Sequence, residues 1–520
     1  MTISTSNAPA GARPHADIAA ATQPPQDALP PAPPAPSRAA TAELPHTVWS
    51  RFIILMLCLA VVTTTLAFGT VHSWALAVFA LSAGVVLALW MLDAWRTRVL
   101  RVSKNFLQLP LVGLFAVGLV QLLPLGGAQD LGGAAPARPL SFDPYATRFV
   151  LVELAGLVVY FAAALAFVDS PKRLRLVARL VVVFGFLLGV YGLMQHFLNP
   201  TTIFWIRQPP QALPFGPYIN RHHFAGYMEL TLAMPLGLMF AGAVERDRVL
   251  LYAFASAMMA IALVMTNSRG GILSMVCEIL FLAALAATAR RRGRREEVED
   301  AGGRVRAAAL RVGLGFAMIV AVFIGVLYFG GEDALSRLVG TANADDPTTG
   351  RAHFWQGTVG IIKDHPVLGA GLGAFGAVYP RYDTAGGTYR LEQAHNDYLQ
   401  ILSDAGVVGA LLGLAFLVVL FRQGVRRIQS HDRFRRGVAL GALAGCAGVL
   451  VHSFFDFTLH TTANALLFLL LAALATAGGR VEEPDAQRRG RRRRHHGADA
   501  YASAAPAAGR EKEGAARAGG

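Results

Sequence analysis

Long apolar runs constrain the fold of this sequence more than any other feature. Only 15% of the 520 residues are charged, against about 25% in a typical soluble domain. Twelve runs are mainly apolar and about 18–24 residues long, enough to cross roughly 30 Å of hydrocarbon. They cover residues 51–69, 74–92, 105–124, 147–168, 176–198, 223–243, 249–266, 271–289, 310–330, 398–421, 438–456 and 462–478. The sequence therefore predicts an all-α polytopic membrane protein with about 12 transmembrane helices.

The two ends of the chain differ from this membrane domain, which we expect at 48–478. Residues 1–47 hold ten prolines and show no apolar period, which predicts a disordered cytoplasmic tail and not a signal peptide. Residues 479–520 form a basic cytoplasmic tail around the arginine run at 488–494. Such a run is typical of contact with anionic lipid headgroups. Nucleic-acid binding is disfavoured, because no aromatic or fold signal accompanies the run.

The placement of basic residues predicts the orientation in the membrane. With the N-terminus in the cytoplasm, the inside loops carry 22 lysines and arginines, whereas the short outside loops carry four, namely Arg138, Arg207, Arg221 and Arg269. Positively charged loops stay in the cytoplasm. We therefore expect the one long loop, 331–397, to lie outside and the 290–309 loop to lie inside.

Several ionisable side chains are expected near the outer face, contributed by different spans. They are Arg221, His222, His223, Glu229, Arg269, Arg351, His353, His395, Asp456 and His460. Ionisable groups at membrane edges are costly to bury and are often functional. Each alone also has a simpler interpretation, such as a headgroup contact for an arginine or a pair with a neighbouring arginine for Glu229. Cys58, Cys277 and Cys446 lie in apolar runs, show no metal-ligand spacing and are interpreted as packing residues.

One glycine motif does not indicate a dinucleotide site. Residues 371–376 match GxGxxG, but a dinucleotide fold needs a preceding strand and a following helix. We expect a tightly turning loop that lets backbone approach a neighbour. Just before it, the apolar spacing in 350–364 predicts a short amphipathic helix, ended by Pro366.

Six short strings occur in a fixed order and carry a family resemblance. They are Gly216–Gly226 (GPYINRHHFAG), Thr266–Arg269 (TNSR), Gly350–Trp355 (GRAHFW), His365–Gly371 (HPVLGAG), Ala394–Gln400 (AHNDYLQ) and His452–Asp456 (HSFFD). In this order and on this side of the membrane, they resemble the O-antigen ligase and O-antigen polymerase family of bacterial inner membranes. The resemblance covers about residues 200–470.

The resemblance implies a GT-C-like helical architecture and a metal-independent glycosyltransferase of lipopolysaccharide or other polysaccharide biosynthesis. Such an enzyme moves a glycan from undecaprenyl diphosphate to an acceptor hydroxyl, either on a glycan or on lipid A core, at the periplasmic face. By match to the motifs, Arg221, Arg269 and Arg351 would bind the diphosphate, and His395 would be the catalytic histidine. His222 and His223 are adjacent candidates for substrate binding. No cofactor, metal or nucleic acid is implied, and membrane lipids are the other partner.

The residue chemistry agrees with that expectation and leaves alternatives open. Guanidinium groups can bind phosphate oxygens in pairs, and a histidine near neutrality can take the proton of an attacking hydroxyl. No carboxylate pair that would suit a bridging Mg²⁺ stands out in the 331–397 loop. A transporter or lipid-linked-glycan flippase is also compatible with 12 spans, and a scaffold less so. Ligase, polymerase and protein-glycosylating activities are not distinguished by sequence.

The orientation can be tested by thiol labelling. In a variant without the three native cysteines, Ala385→Cys in the 331–397 loop should react with an impermeant thiol reagent in spheroplasts. Ala301→Cys in the 290–309 loop should react only after the membrane is opened, because its arginines hold it inside. Labelling of Ala301→Cys in intact spheroplasts would contradict the orientation.

Overall fold

The protein is helical throughout the residues that the structure, a computed structural model, describes: 46–126, 138–210, 212–293, 351–384 and 390–478. Its α-helices are α1 Val48–Leu66, α2 Ser73–Thr97, α3 Gln108–Gln121, α4 Pro144–Phe167, α5 Pro171–Leu198, α6 Arg221–Phe240, α7 Val249–Met265, α8 Arg269–Gly293, α9 Arg351–Asp364, α10 Phe375–Val378, α11 Asp397–Arg427, α12 Arg433–His452 and α13 Thr462–Thr476. Within those ranges there is no β-strand.

Eight helices among the described residues are long and apolar enough to cross a membrane: α1, α2, α4, α5, α7 with its preceding turn, α8, α11 and α12. This confirms an all-α membrane protein with several spans. Eleven of the twelve predicted spans coincide with a helix, but α3 and α13 are shorter, at 14 and 15 residues. The predicted span 310–330 lies outside the described residues, so the number twelve stays a prediction. The amphipathic helix predicted at 350–364 corresponds to α9.

Helix starts are fixed by side chains that accept hydrogen bonds from free backbone N–H groups. Asp143 caps α4 and is followed by Pro144, and Ser170 caps α5 and is followed by Pro171. Proline suits the first helical position because its missing N–H would have no intrahelical partner there. Asp432 caps α12 in the same way. Each cap contributes about 1 kcal/mol.

Helices α6 and α12 form the centre of the bundle and pack closely along their length. Gly237 of α6 lies against the backbone of Gly441 in α12, and Gly445 packs against Leu230 and Ala233 at a slightly larger distance. Small residues let membrane helices approach each other in this way. Nearly all of α6 is buried among other helices. It therefore faces protein more than lipid, which is compatible with its polar residues and with its absence from the eight apolar spans.

The glycine-rich segment that precedes α11 in sequence packs against a break in that helix. Gly406 has φ +63°, and its Cα lies against the backbone of Val367. The N–H of Val407 donates to Pro366 at 2.8 Å, and the N–H of Ala370 donates to Ser403 at 2.8 Å. The GxGxxG segment is thus a turning loop packed on a helix, as expected, and no strand accompanies it in the described residues.

Buried arginines organise the opposite end of the bundle, which was predicted to be cytoplasmic. Arg101 pairs with Asp93 at 3.0 Å and with Asp169 at 3.2 Å, and Arg173 pairs with Asp169 at 3.1 Å. Arg435 is 1% exposed and donates to the terminal carbonyls of α13, including Ala477 at 2.8 Å. A cation is favourable at the negative end of a helix dipole. Some of the basic residues counted for orientation are therefore also structural.

Candidate active site

Most ionisable side chains singled out in the sequence meet at one end of the bundle, opposite the arginine and aspartate cluster. Helices α6, α8 and α11 begin there and α12 ends there, so their terminal residues can touch. The segment after α12, residues 453–460, crosses these helix ends and includes a short 3₁₀ turn, Thr458–His460. This end therefore collects side chains from four helices and one connecting segment.

His395 immediately precedes α11 in a left-handed backbone conformation. Its φ is +50°, which costs roughly 1–2 kcal/mol for a residue other than glycine. The next residue, Asn396, caps α11 by accepting from the N–H groups of Tyr398 and Leu399 at 3.0 Å each. Its amide also donates to the Phe454 carbonyl at 3.1 Å. Asn396 is thus the N-cap of α11, and the His395 side chain takes no part in capping.

The His395 imidazole faces a buried carboxylate. Its Nδ1 lies 3.1 Å from Oδ1 of Asp456, whose side chain is 1% exposed, whereas the imidazole is 30% exposed. The rings of Phe457 and Phe354 lie beside it, with centroids at 4.9 Å and 6.1 Å. Burial by itself raises the pKa of Asp456, but the hydrogen bond with His395 helps to outweigh burial, and the pKa lies well below its usual value. One ring nitrogen is fixed while the imidazole remains accessible.

A second histidine–carboxylate pair ties the same two segments together. Oδ1 of Asp397 lies 2.6 Å from Nδ1 of His460, and the Ser453 hydroxyl donates to Oδ2 of Asp397 at 2.7 Å. Burial alone lowers the pKa of His460, but the hydrogen bond and charge of Asp397 raise it above its ordinary value. Residues 395–397 and 453–460 are therefore joined by two pairs, which hold His395 in position against the end of α12.

A chain of hydrogen bonds leads from inside the bundle to His222. Oε1 of Glu229 lies 2.8 Å from Nδ1 of His452. Nε2 of His452 lies 3.4 Å from the Ser268 hydroxyl, which lies 2.8 Å from Nδ1 of His222. Ser274 also donates to Glu229 at 2.8 Å. The suggestion that Glu229 pairs with an arginine is therefore wrong, because its partners are His452 and Ser274.

Stability alone does not explain this buried chain. Hydrogen bonds between membrane helices average about 0.6 kcal/mol. Placing a charged residue at the centre of a membrane helix costs about 2.5–3.5 kcal/mol. The contacts of Glu229 thus recover only part of the cost of burying an ionisable group. A functional reason for the chain is favoured.

His223 points to a different neighbour from His222. Its Nδ1 lies 3.0 Å from the Thr461 hydroxyl, and its ring packs against Phe457 with centroids 4.8 Å apart. The residue is 6% exposed, and Nε2 has no hydrogen-bond partner among the described residues. Phe457 also contacts His395. His223 therefore helps to hold Phe457 beside His395.

Three arginines start helices at or beside this end. Arg221 is the first residue of α6, Arg269 of α8 and Arg351 of α9. Arg269 is exposed, and neither Arg269 nor Arg351 forms an ion pair with a described residue. A cation at the positive end of a helix dipole is unfavourable by roughly 0.3–1 kcal/mol. Arg221 and Arg269 both have this placement, at the starts of α6 and α8, which favours a site for an anion.

The charges of two of these arginines affect the pKa of His222, which lies at the N-terminal end of α6. Burial is the largest cause that lowers the pKa of His222, to about 3, and the charges of Arg221 and Arg351 lower it further. Arg351 and Phe354 belong to the same helix, α9, and the ring of Phe354 lies 6.1 Å from that of His395. Arg269 directly follows Ser268, the hydrogen-bond partner of His222. All six residues predicted from the sequence thus lie around one region.

Sequence reasoning did not include several residues of this region in the site. Asp456, Asp397, His460, Ser268 and His452 all contact the predicted residues. The available signal was their position, since each falls at or next to the outer end of a predicted span. Their partners lie tens or hundreds of residues away in sequence and could not be read from spacing. The sequence also did not predict a cluster of possible metal ligands. One ligand atom from each of His222, His452 and Asp456 lies within 4.8 Å of the other two.

Comparison with known proteins agrees with the motifs. Residues 254–414 match the family model described as O-antigen ligase, a segment that includes Arg269, Arg351 and His395. No curated protein matches the chain. The family predicted from the sequence is confirmed by this match. Over residues 254–414, the chain is similar to the O-antigen ligase family.

Proposed function

We propose that this protein is a metal-independent, GT-C-like glycosyltransferase of the bacterial inner membrane. It moves a glycan from an undecaprenyl-diphosphate carrier to an acceptor hydroxyl at the periplasmic face, as a ligase or polymerase of O-antigen or a related polysaccharide. One observation carries the proposal. The His395–Asp456 pair lies at the end of the bundle where Arg221, Arg269 and Arg351 start their helices.

His395 is the general base in this proposal. With Nδ1 donating to Asp456, the neutral imidazole carries its lone pair on Nε2. The acceptor hydroxyl gives its proton to Nε2 while its oxygen bonds to the anomeric carbon. The bond from that carbon to the phosphate oxygen breaks, and undecaprenyl diphosphate leaves. Asp456 orients the ring and stabilises the imidazolium. Such a single displacement inverts the anomeric centre.

The three arginines bind the diphosphate and stabilise its growing charge. A guanidinium stays protonated and offers a planar fork that matches two phosphate oxygens. Cations placed where charge develops lower the barrier to bond cleavage. The N-terminal ends of α6 and α8 add free backbone N–H groups and a favourable dipole. The bound anion then offsets the cost of placing Arg221 and Arg269 at positive helix ends. The apolar helices hold the polyprenyl chain.

A transporter or lipid-linked-glycan flippase is the second candidate, and one residue favours it. Glu278 lies in α8 about 14 Å along the helix from Arg269, at 1.5 Å per residue. It is fully buried, and neither carboxylate oxygen has a hydrogen-bond partner in the described part of the chain. Transporters often place ionisable groups near the middle of the membrane. The His395, Asp397, Asp456 and arginine set lies at helix ends, which favours the transferase.

Gene deletion followed by glycan electrophoresis separates these functions. Loss of a ligase should leave finished polymer on the lipid carrier. Loss of a polymerase should leave single repeats on the acceptor, because transfer of one unit still proceeds. An unchanged glycan profile together with altered solute uptake would reject the transferase and establish the transporter.

Replacing His395 tests the general base. His395→Ala should lower turnover by about 10²–10⁴ while donor binding and membrane insertion persist. His353→Ala is a matched control, because His353 also pairs with a carboxylate, Asp383, and its side chain is 29% exposed against 30% for His395. The control should change turnover by less than about tenfold. A folded His395→Ala protein with near wild-type turnover would remove His395 from the mechanism.

Arginine-to-lysine replacements test diphosphate binding. Arg269→Lys and Arg351→Lys should each weaken donor binding or turnover by about 10- to 150-fold, because loss of a charge-assisted hydrogen bond costs roughly 1.5–3 kcal/mol. Arg390→Lys is the control, since this arginine is 88% exposed and pairs with Glu392 at 3.3 Å. If attraction to lipid headgroups were the role of Arg269 and Arg351, lysine would serve equally and wild-type values would be retained.

A further inference from the structure

We propose that His222, His452 and Asp456 form a zinc-binding site and that its occupation inhibits glycan transfer. One ligand atom from each residue lies within 4.8 Å of the other two. The three residues come from the start of α6, the end of α12 and the segment that follows α12. A metal ion there would join elements that the sequence separates by more than two hundred residues.

The ligand set suits zinc more than magnesium or calcium. Two imidazoles and one carboxylate, with a fourth position left for water, are a usual zinc coordination. Magnesium and calcium prefer sites built from oxygen ligands. Zinc–nitrogen bonds of about 2.0–2.1 Å place two tetrahedral ligands roughly 3.4 Å apart. Small side-chain rotations therefore bring the three ligand atoms to coordination distance.

Hydrogen bonds already orient both histidines for coordination. Nδ1 of His452 is held by Glu229 at 2.8 Å, and a metal on Nε2 would replace the long 3.4 Å contact of Nε2 with Ser268. This carboxylate–histidine contact is the supporting contact commonly found behind metal-binding histidines. Nδ1 of His222 lies 2.8 Å from the Ser268 hydroxyl, which can accept its proton and leave Nε2 of His222 available.

The third ligand has an unused oxygen. Asp456 is 1% exposed, and its Oδ2 has no hydrogen-bond partner among the residues described, while Oδ1 holds His395. A buried oxygen without a partner is unfavourable, and a cation would satisfy it. This orphaned oxygen is a second observation for a ligand, independent of the spacing of the three groups.

Inhibition follows from the shared carboxylate and rests on the proposed function. Asp456 orients His395 through Oδ1, and a zinc ion on Oδ2 draws electron density away from the same carboxylate. Asp456 then stabilises the imidazolium of His395 less, so proton transfer from the acceptor slows. Binding of zinc itself does not depend on the reaction.

The test begins with metal binding to the purified full-length protein, prepared without a histidine tag. Calorimetry with ZnCl₂ should show one site per chain, and Co²⁺ should give the visible absorption of a tetrahedral complex. His452→Gln and the nearly isosteric Asp456→Asn should both lose this site. His353→Gln should retain it, because His353 pairs with Asp383 elsewhere. Retention by both site variants, or no binding by the wild type, would overturn the site.

The second measurement is transfer from lipid-linked donor in reconstituted vesicles. Zinc at saturation should lower turnover at least tenfold, and a chelator should restore it. Chelation of untreated enzyme should leave turnover unchanged. Binding without inhibition would overturn the inhibitory role, and loss of turnover on chelation would show that the metal is required. If the wild type transferred no glycan, the proposed function would fail, while the binding measurement would still decide the zinc site.

Discussion

The close approach of α6 and α12 is the contact on which the site depends. Glycines on both helices bring one backbone against the other, and no larger side chain could occupy that space. At this separation, Glu229 of α6 reaches His452 at the end of α12, and His452 in turn reaches Ser268, the partner of His222. The glycine contact thus fixes the distance between Glu229 on α6 and His452 on α12. Bulky packing at the same level would move them apart and leave buried ionisable groups without partners.

Several residues of the site occupy positions that are energetically unfavourable by themselves. Arg221 and Arg269 lie at positive helix ends, where acidic residues would be more stable. His395 adopts a left-handed conformation that most residues avoid. Local strain of this kind persists only where the surrounding structure compensates for it. Here the Asn396 cap and the two histidine–carboxylate pairs supply that compensation.

Much of the helical layout could be predicted because span length and charge asymmetry are local properties of the sequence. The helix at 351–364 and the turning loop at 371–376 were also predictable, from apolar spacing and glycine chemistry. The pairing of His395 with Asp456 was not, because 61 positions separate them and only the packing of α11 beside α12 brings them together. Glu229 shows the limit most clearly. Its charge predicted a hydrogen-bonding or ionic partner, but that partner is His452 only because α12 packs against α6.

Helix α13 connects the site with the opposite end of the bundle. Asn464 donates to the carbonyl of His223 at 2.9 Å, and Thr462 donates to Glu153 at 2.8 Å. At the other end, Arg435 can reach its partner carbonyls only after residues 474–477 exist. During synthesis, the earlier helices enter the membrane with these groups still unsatisfied. The surroundings of His223 are therefore completed only when α13 docks, and a nascent chain that stalls before α13 cannot assemble them.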